Sequence, residues 1–183
     1  MKTLLLIALL ATLAAAQNPH TRSISGGKMK QSLPFDGKMF ILKFIDQTKI
    51  VDLNEYYLPN EQPENWTQML SVTFYKTPLT PAAMAKNMER GLLEQHPDAP
   101  HEYTTAPDGS VLFFCLNWAR DRRTDSEFSI FRFQKRSNGV LGYQASFRPF
   151  QAKISLDDYK ALRDRWIKKI QVGQWPDVMM QMP

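Results

Sequence analysis

Hydrophobic and polar residues alternate along most of this chain with a period of two, and at two places the period lengthens to that of a helix. From Lys38 to Gln47, Phe40, Leu42 and Phe44 fall on one side, and Met39, Ile41, Lys43 and Ile45 on the other. That spacing predicts a strand buried on one face and half-covered on the other. Lys49–Leu58 reads as a second extended segment, closed by Pro59, and PNEQPEN (59–65) as a turn-rich loop. From Trp66 to Tyr75 the alternation sharpens. Trp66, Gln68, Leu70, Val72 and Phe74 make one face, nearly all apolar, and Met69, Ser71, Thr73 and Tyr75 the other.

Thr80-Pro81 then signals a helix start, a capping hydroxyl followed by a residue whose fixed φ suits the first turn. Met84, Met88 and Leu92 recur at helical spacing, and the helix is predicted to end near Gln95, before Pro97. HEYTTA and VLFFCLNWA flank Pro107-Asp108-Gly109-Ser110 as a strand pair, because Asp-Gly supplies the positive φ that tight hairpins need. The second of these is apolar on both faces and predicts a central strand packed above and below. Ser126–Arg136 and Val140–Phe150 flank Asn138-Gly139, read as another hairpin turn. Ser155 with Asp158 caps a last helix, with Tyr159, Leu162, Trp166 and Ile170 on one stripe and Gly173 closing it.

The expected class is therefore α+β: a mainly antiparallel sheet of about six or seven strands covered by two main helices. The early hairpin, the ENWTQMLSVTFYK segment running straight into a helix, the strand meander and the C-terminal amphipathic helix together resemble the PsbP-like sandwich. That fold is shared by the photosystem II extrinsic protein PsbP and a nuclear-transport factor that binds the Ran GTPase. The resemblance spans about residues 35–172 and implies a fold only. No photosynthetic or Ran-binding residue has a counterpart here. The ENWTQMLSVTFYK strand is also similar to a segment of small exported bacterial proteins.

The first residues, MKTLLLIALLATLAAAQ, are a different kind of sequence. Lys2, the apolar run Leu4–Leu13 and the small-x-small Ala14-Ala15-Ala16 form a secretory signal peptide, too short for a permanent membrane span. Residues 1–16 are read as signal, 17–37 as a flexible leader, 38–173 as one domain and 174–183 as a tail. At 183 residues there is room for one self-sufficient core. A single cysteine, Cys115, cannot form an internal disulfide, and its apolar setting predicts an inert buried thiol. An exported chain without disulfides points to a periplasmic or secreted protein of bacterial origin.

A net charge of +5 spread along the chain lacks the dense basic stripe that nucleic-acid binding requires. No Gly-x-Ser-x-Gly elbow, P-loop, dinucleotide fingerprint, HExxH or CxxC occurs, so no catalytic residues, cofactor or metal are expected. His96 and His101 bracket Asp98, but a third strong ligand is missing from that stiff Pro-containing loop. The Asn65-Trp66-Thr67 sequon is read as accidental. The densest polar cluster, Asn117–Glu127, is expected to be a loop between strands. Its Trp118, Arg120, Asp121, Arg122 and Arg123 are the candidate partner-binding residues. Arginine forks grip carboxylates, and a tryptophan anchors interfaces.

The functional expectation is a monomeric, non-catalytic exported protein that binds another protein of the envelope, as an accessory factor or as an inhibitor of an exported toxin. The alternatives are a small-molecule or lipid carrier, since 9 Met and 11 Phe allow an adaptable apolar lining, and a hydrolase using the dispersed His101, Glu102 and Asp108.

Overall fold

The computed structural model describes residues 30–119, 122–149 and 155–172, without the side chains of 119 and 122–125. Eight strands form one antiparallel open sheet in the order β1-β2-β3-β4-β8-β7-β6-β5. The strands are β1 (Ser32–Phe35), β2 (Lys38–Gln47), β3 (Val51–Tyr57), β4 (Gln68–Tyr75), β5 (His101–Thr105), β6 (Val111–Ala119), β7 (Arg122–Arg136) and β8 (Gly139–Phe147). Two four-strand meanders thus meet where β4 pairs β8. Helix α1 (Pro81–Gln95) carries the chain from the centre of the sheet to its far edge, and α2 (Leu156–Gln171) follows β8.

Strand β6 dictates the layering. Its alternate residues Val111, Phe113 and Cys115 pack with Met84, Ala85 and Leu92 of α1. Leu112 and Phe114 belong to the cluster that holds Leu162, Trp166 and Ile170 of α2. One helix therefore lies on each face of the sheet, which is why a strand apolar on both sides is stable here. β6 is second from the edge, however, and not central: the short, exposed β5 lies outside it.

The helices begin as their capping residues dictate. Thr80 accepts from the Ala83 N–H at 3.2 Å ahead of Pro81, and Ser155 accepts from the Asp158 N–H at 3.1 Å. The Met84/Met88/Leu92 and Tyr159/Leu162/Trp166/Ile170 stripes face the two cores as expected. Gly173 and the tail lie outside the described residues.

Several expectations are corrected. Among the described residues there are eight strands, close to the six or seven expected. The additional one is β1, which falls at the end of the segment read as a leader. Leu33 and Phe35 are buried in the main core, and Asp36-Gly37, both at positive φ, make the two-residue turn to β2. Phe44 does not share a face with Phe40 and Leu42. A bulge at Lys43 puts two β2 residues opposite one on β3 and turns Phe44 toward Tyr57, Trp66 and Met69. The Lys43 ammonium donates to the carbonyls of Pro59 (2.8 Å) and Glu61, which stabilises the extra residue.

Trp66 likewise leaves the Leu70/Val72 face, because β4 starts only at Gln68. The β7–β8 turn is Ser137-Asn138, with Gly139 already paired to Arg136. Gly139 is required by close packing and not by positive φ: a Cβ there would lie 2.2 Å from the Tyr75 carbonyl oxygen.

Candidate functional site

The Asn117–Glu127 segment is a hairpin, not an irregular loop. β6 runs through Ala119 and β7 begins at Arg122, so Arg122 and Arg123 are strand residues; Arg120 and Asp121 lie outside the described residues. Asn117 pairs Glu127 and Ala119 pairs Arg122, with a register shift between. β5 reaches only as far as Cys115 and β8 only as far as Phe128. Among the described residues, the end of this hairpin therefore overhangs both neighbouring strands. Trp118 is half-buried, its ring 4.6 Å from that of His96 at the C-cap of α1. It anchors the base of the hairpin to the core cluster under α1. The structure thus gathers Trp118, Arg122 and Arg123 on one projecting hairpin end.

A second site was not foreseen from the pattern. It is carried by β3, whose DLNEYY run buries five residues with polar tips: Asp52, Asn54, Glu55, Tyr56 and Tyr57. Polar groups taken from water without partners destabilise a fold, so such a strand is where function is sought. Asp52 is paired to the Lys76 ammonium at 2.7 Å. Asn54 and Tyr56 share the α2 side of the sheet, opposite Val72 and Leu70. Among the described residues, neither atom of the Asn54 amide nor the Tyr56 hydroxyl has a partner. Asn54→Leu is accordingly expected to raise stability by about 1–3 kcal/mol, the desolvation cost of an unpaired amide. The midpoint of urea unfolding checks this; an unchanged or lower midpoint contradicts it.

Glu55 and Tyr57 face the other way, beside Ser71 and Met69. The Tyr57 hydroxyl donates to Glu55 Oε2. The Tyr57 ring lies 6.2 Å from that of fully buried Trp66, and the Arg148 guanidinium sits 3.8 Å above the Trp66 ring. Arg148 in turn approaches Glu127 Oε2 at 3.5 Å. Gln144 donates to the Ser146 oxygen at 2.8 Å, the Ser146 and Ser129 hydroxyls are 2.6 Å apart, and Ser129 donates to Glu127 Oε1 at 3.0 Å. A hydrogen-bonded chain thus joins Gln144 and Ser146 of β8 to Ser129 and Glu127 of β7 and ends on Arg148, while the Glu55–Tyr57 pair of β3 meets it through the Trp66 ring and through the charges of Glu127 and Arg148.

Burial pushes the Glu55 carboxyl up to about 7. The Glu127 charge adds to this, while the Tyr57 hydrogen bond and Arg148 oppose it. Sequence reasoning included Glu127 in its polar cluster but passed over Glu55, Tyr57 and Arg148. The signal available was a strand-forming run with polar residues at successive positions, which leaves no apolar face.

The other candidates are separate. The His96 N–H caps α1 through the Leu92 carbonyl at 2.8 Å, while His101 Nε2 meets Glu89 at 3.1 Å. No group of three or more His, Cys, Asp or Glu side chains suited to a metal ion occurs among the described residues. Asp108 holds its own turn. Its carboxyl is lowered to about 2 by hydrogen bonds from the Ser110 hydroxyl and N–H, and further by Arg132. Glu102 and His101 are successive residues of β5 and point to opposite faces. The trio His101, Glu102 and Asp108 does not form one site. Cys115 is buried, and burial raises its thiol well above the ordinary range.

The fold and its two sites define an α+β protein with an eight-stranded antiparallel open sheet and a helix on each face. A protein-family model matches residues 28–175, and the chain belongs to that family, whose function is uncharacterised. Comparison with curated proteins gives no match. No described helix is long and apolar enough to cross a membrane.

Proposed function

We propose that this is an exported, non-catalytic protein of the bacterial envelope that binds another protein through the end of the β6–β7 hairpin. The observation that carries the reading is the overhang: among the described residues, the hairpin end extends past the pairing limits of β5 and β8, at Cys115 and Phe128. A two-stranded projection offers unpaired backbone edges to a partner strand. Arg120, Arg122 and Arg123 supply guanidinium forks for acidic groups, with Asp121 among them and Trp118 fixing the base. The PsbP-like likeness enters this proposal as a fold only, and the signal peptide and envelope location belong to it as well.

The test uses the full-length chain produced in cells with a photo-cross-linking residue at Thr124. The processed protein is expected in the periplasm with Gln17 at its N-terminus. A discrete protein adduct is expected, and Arg120/Arg122/Arg123→Ala is expected to reduce it about tenfold or more, as befits the loss of charge-assisted contacts. The same adduct from a cross-linker at exposed Leu156 on α2, or one indifferent to the triple substitution, would sink the assignment.

A further inference from the structure

We propose that the Glu55–Trp66–Arg148 cluster binds a small zwitterion of the α-amino acid class. Its ammonium would lie on Glu55, and its carboxylate between Arg148 and the Trp66 N–H. The inference goes beyond the hairpin reading and stands on different residues.

Complementarity is the argument. Glu55 is 5% exposed, and among the described residues its carboxyl receives a hydrogen bond from the Tyr57 hydroxyl alone. Charge does not balance locally. Among the described residues, two carboxylates, Glu55 and Glu127, share the guanidinium of Arg148, which acts electrostatically on Glu55 and contacts Glu127. A buried carboxylate without its own counter-ion favours a bound cation. An ammonium has three donors and would complete the acceptor set of Glu55.

A cation alone leaves the other half unexplained. Trp66 is fully buried, and its Nε1–H meets no acceptor among the described residues. The same ring stacks against Arg148, whose contacts to Glu127 are long, at 3.5 Å. An indole N–H and a loosely held guanidinium beside each other are two donors suited to one carboxylate. A ligand with an amino and a carboxyl group a few bonds apart is the smallest one that satisfies both halves. The nearby residues Ser71, Ser129 and Ser146 are small, buried and hydroxylic, which suits a compact polar ligand better than a lipid.

The probes are the free L-amino acids, one at a time, with acetate and methylammonium as single-charge controls. Binding is read by thermal shift and titration calorimetry on the full mature protein. At least one amino acid is expected to bind and raise the melting temperature, and neither control at equal concentration. Glu55→Gln keeps the shape and removes the charge. Trp66→Phe keeps most of the ring and removes the N–H. Each is expected to weaken binding about 10- to 100-fold while circular dichroism stays native, the range for a hydrogen bond to a charged group. Arg122→Ala is expected to leave binding unchanged, which separates this outcome from that of the hairpin. The proposal is overturned if no amino acid binds, if a control binds as well, or if Glu55→Gln and Trp66→Phe both bind like the wild type.

Discussion

Glu55→Gln is expected to make the protein more stable at pH 8, by on the order of 2–3 kcal/mol, and to remove most of the slope in its stability between pH 5 and 7. The cause lies in where β3 places this carboxyl. Burial raises it from its ordinary 4.5 to about 7. Between those values the folded chain holds a proton that the unfolded chain has released. Stability therefore falls as pH rises through that window and is level above it. Glutamine stays neutral at every pH and keeps a donor and an acceptor for Tyr57. Urea midpoints of both proteins at pH 5 and pH 8 decide the matter. Equal pH slopes in the two would show that Glu55 is not the group responsible. A slope lost in the glutamine variant would mean that the acid is retained at a cost in stability, as expected of a group kept for binding.

The second large effect is expected at the other end of the sheet. Asp36→Ala should destabilise by about 1.5–3 kcal/mol, the range for hydrogen bonds to a charged group, here from a half-exposed Arg165 and a buried Trp166. Asp36 sits in the β1–β2 turn at φ 50°, a conformation that aspartate and asparagine tolerate better than alanine. Its carboxylate receives the Arg165 guanidinium at 2.8 Å and the Trp166 indole N–H at 2.9 Å, with Lys169 at 3.6 Å. Burial opposes its ionisation. The hydrogen bonds from Arg165 and Trp166, with the charges of Arg165 and Lys169, outweigh that and hold the carboxyl below its ordinary 3.8.

This contribution is present above that ordinary value and is lost as pH falls below it. Removal of Asp36 leaves the N–H of a wholly buried tryptophan unpaired in the main core. Trp166 there packs edge-on against Phe35 and Phe147, both at 5.3 Å. Thermal unfolding at pH 7 checks the loss. Asp36→Asn should recover part of it, since the amide still accepts from Trp166. If alanine and asparagine behave alike, the backbone conformation and not the hydrogen bonds is responsible.

Much of the framework is local and could be read from residue order. Thr80-Pro81 and Ser155 start helices because a capping oxygen and the first free N–H groups lie within three residues of each other. Asp108-Gly109 turns the chain with Gly109 at φ 76°, a requirement of the turn alone. Where a distant partner decided, residue order was misleading. The Lys43 bulge answers to carbonyls at Pro59 and Glu61, so no period-two count could put Phe44 on its true face. β1 is only four residues long; it becomes a strand because α2, more than a hundred residues later, covers Leu33 and Phe35. Of the candidate site residues, Glu127 was singled out as part of a charged segment, but its partners come through Ser129 from β8 and from Arg148 beyond it, and it meets Glu55 of β3 by charge alone.

The order of residues alone determined the class of this fold: strand periods, capping residues and two amphipathic stripes act over a few positions each. Which buried polar side chains meet was decided only by folding. β3 and β7 are separated by two other strands, and the contact of Arg148 with Trp66 joins positions far apart in the chain. Burial and charge coupling are properties of that assembled arrangement. They made Glu55, an unremarkable acid in the sequence, the centre of the site.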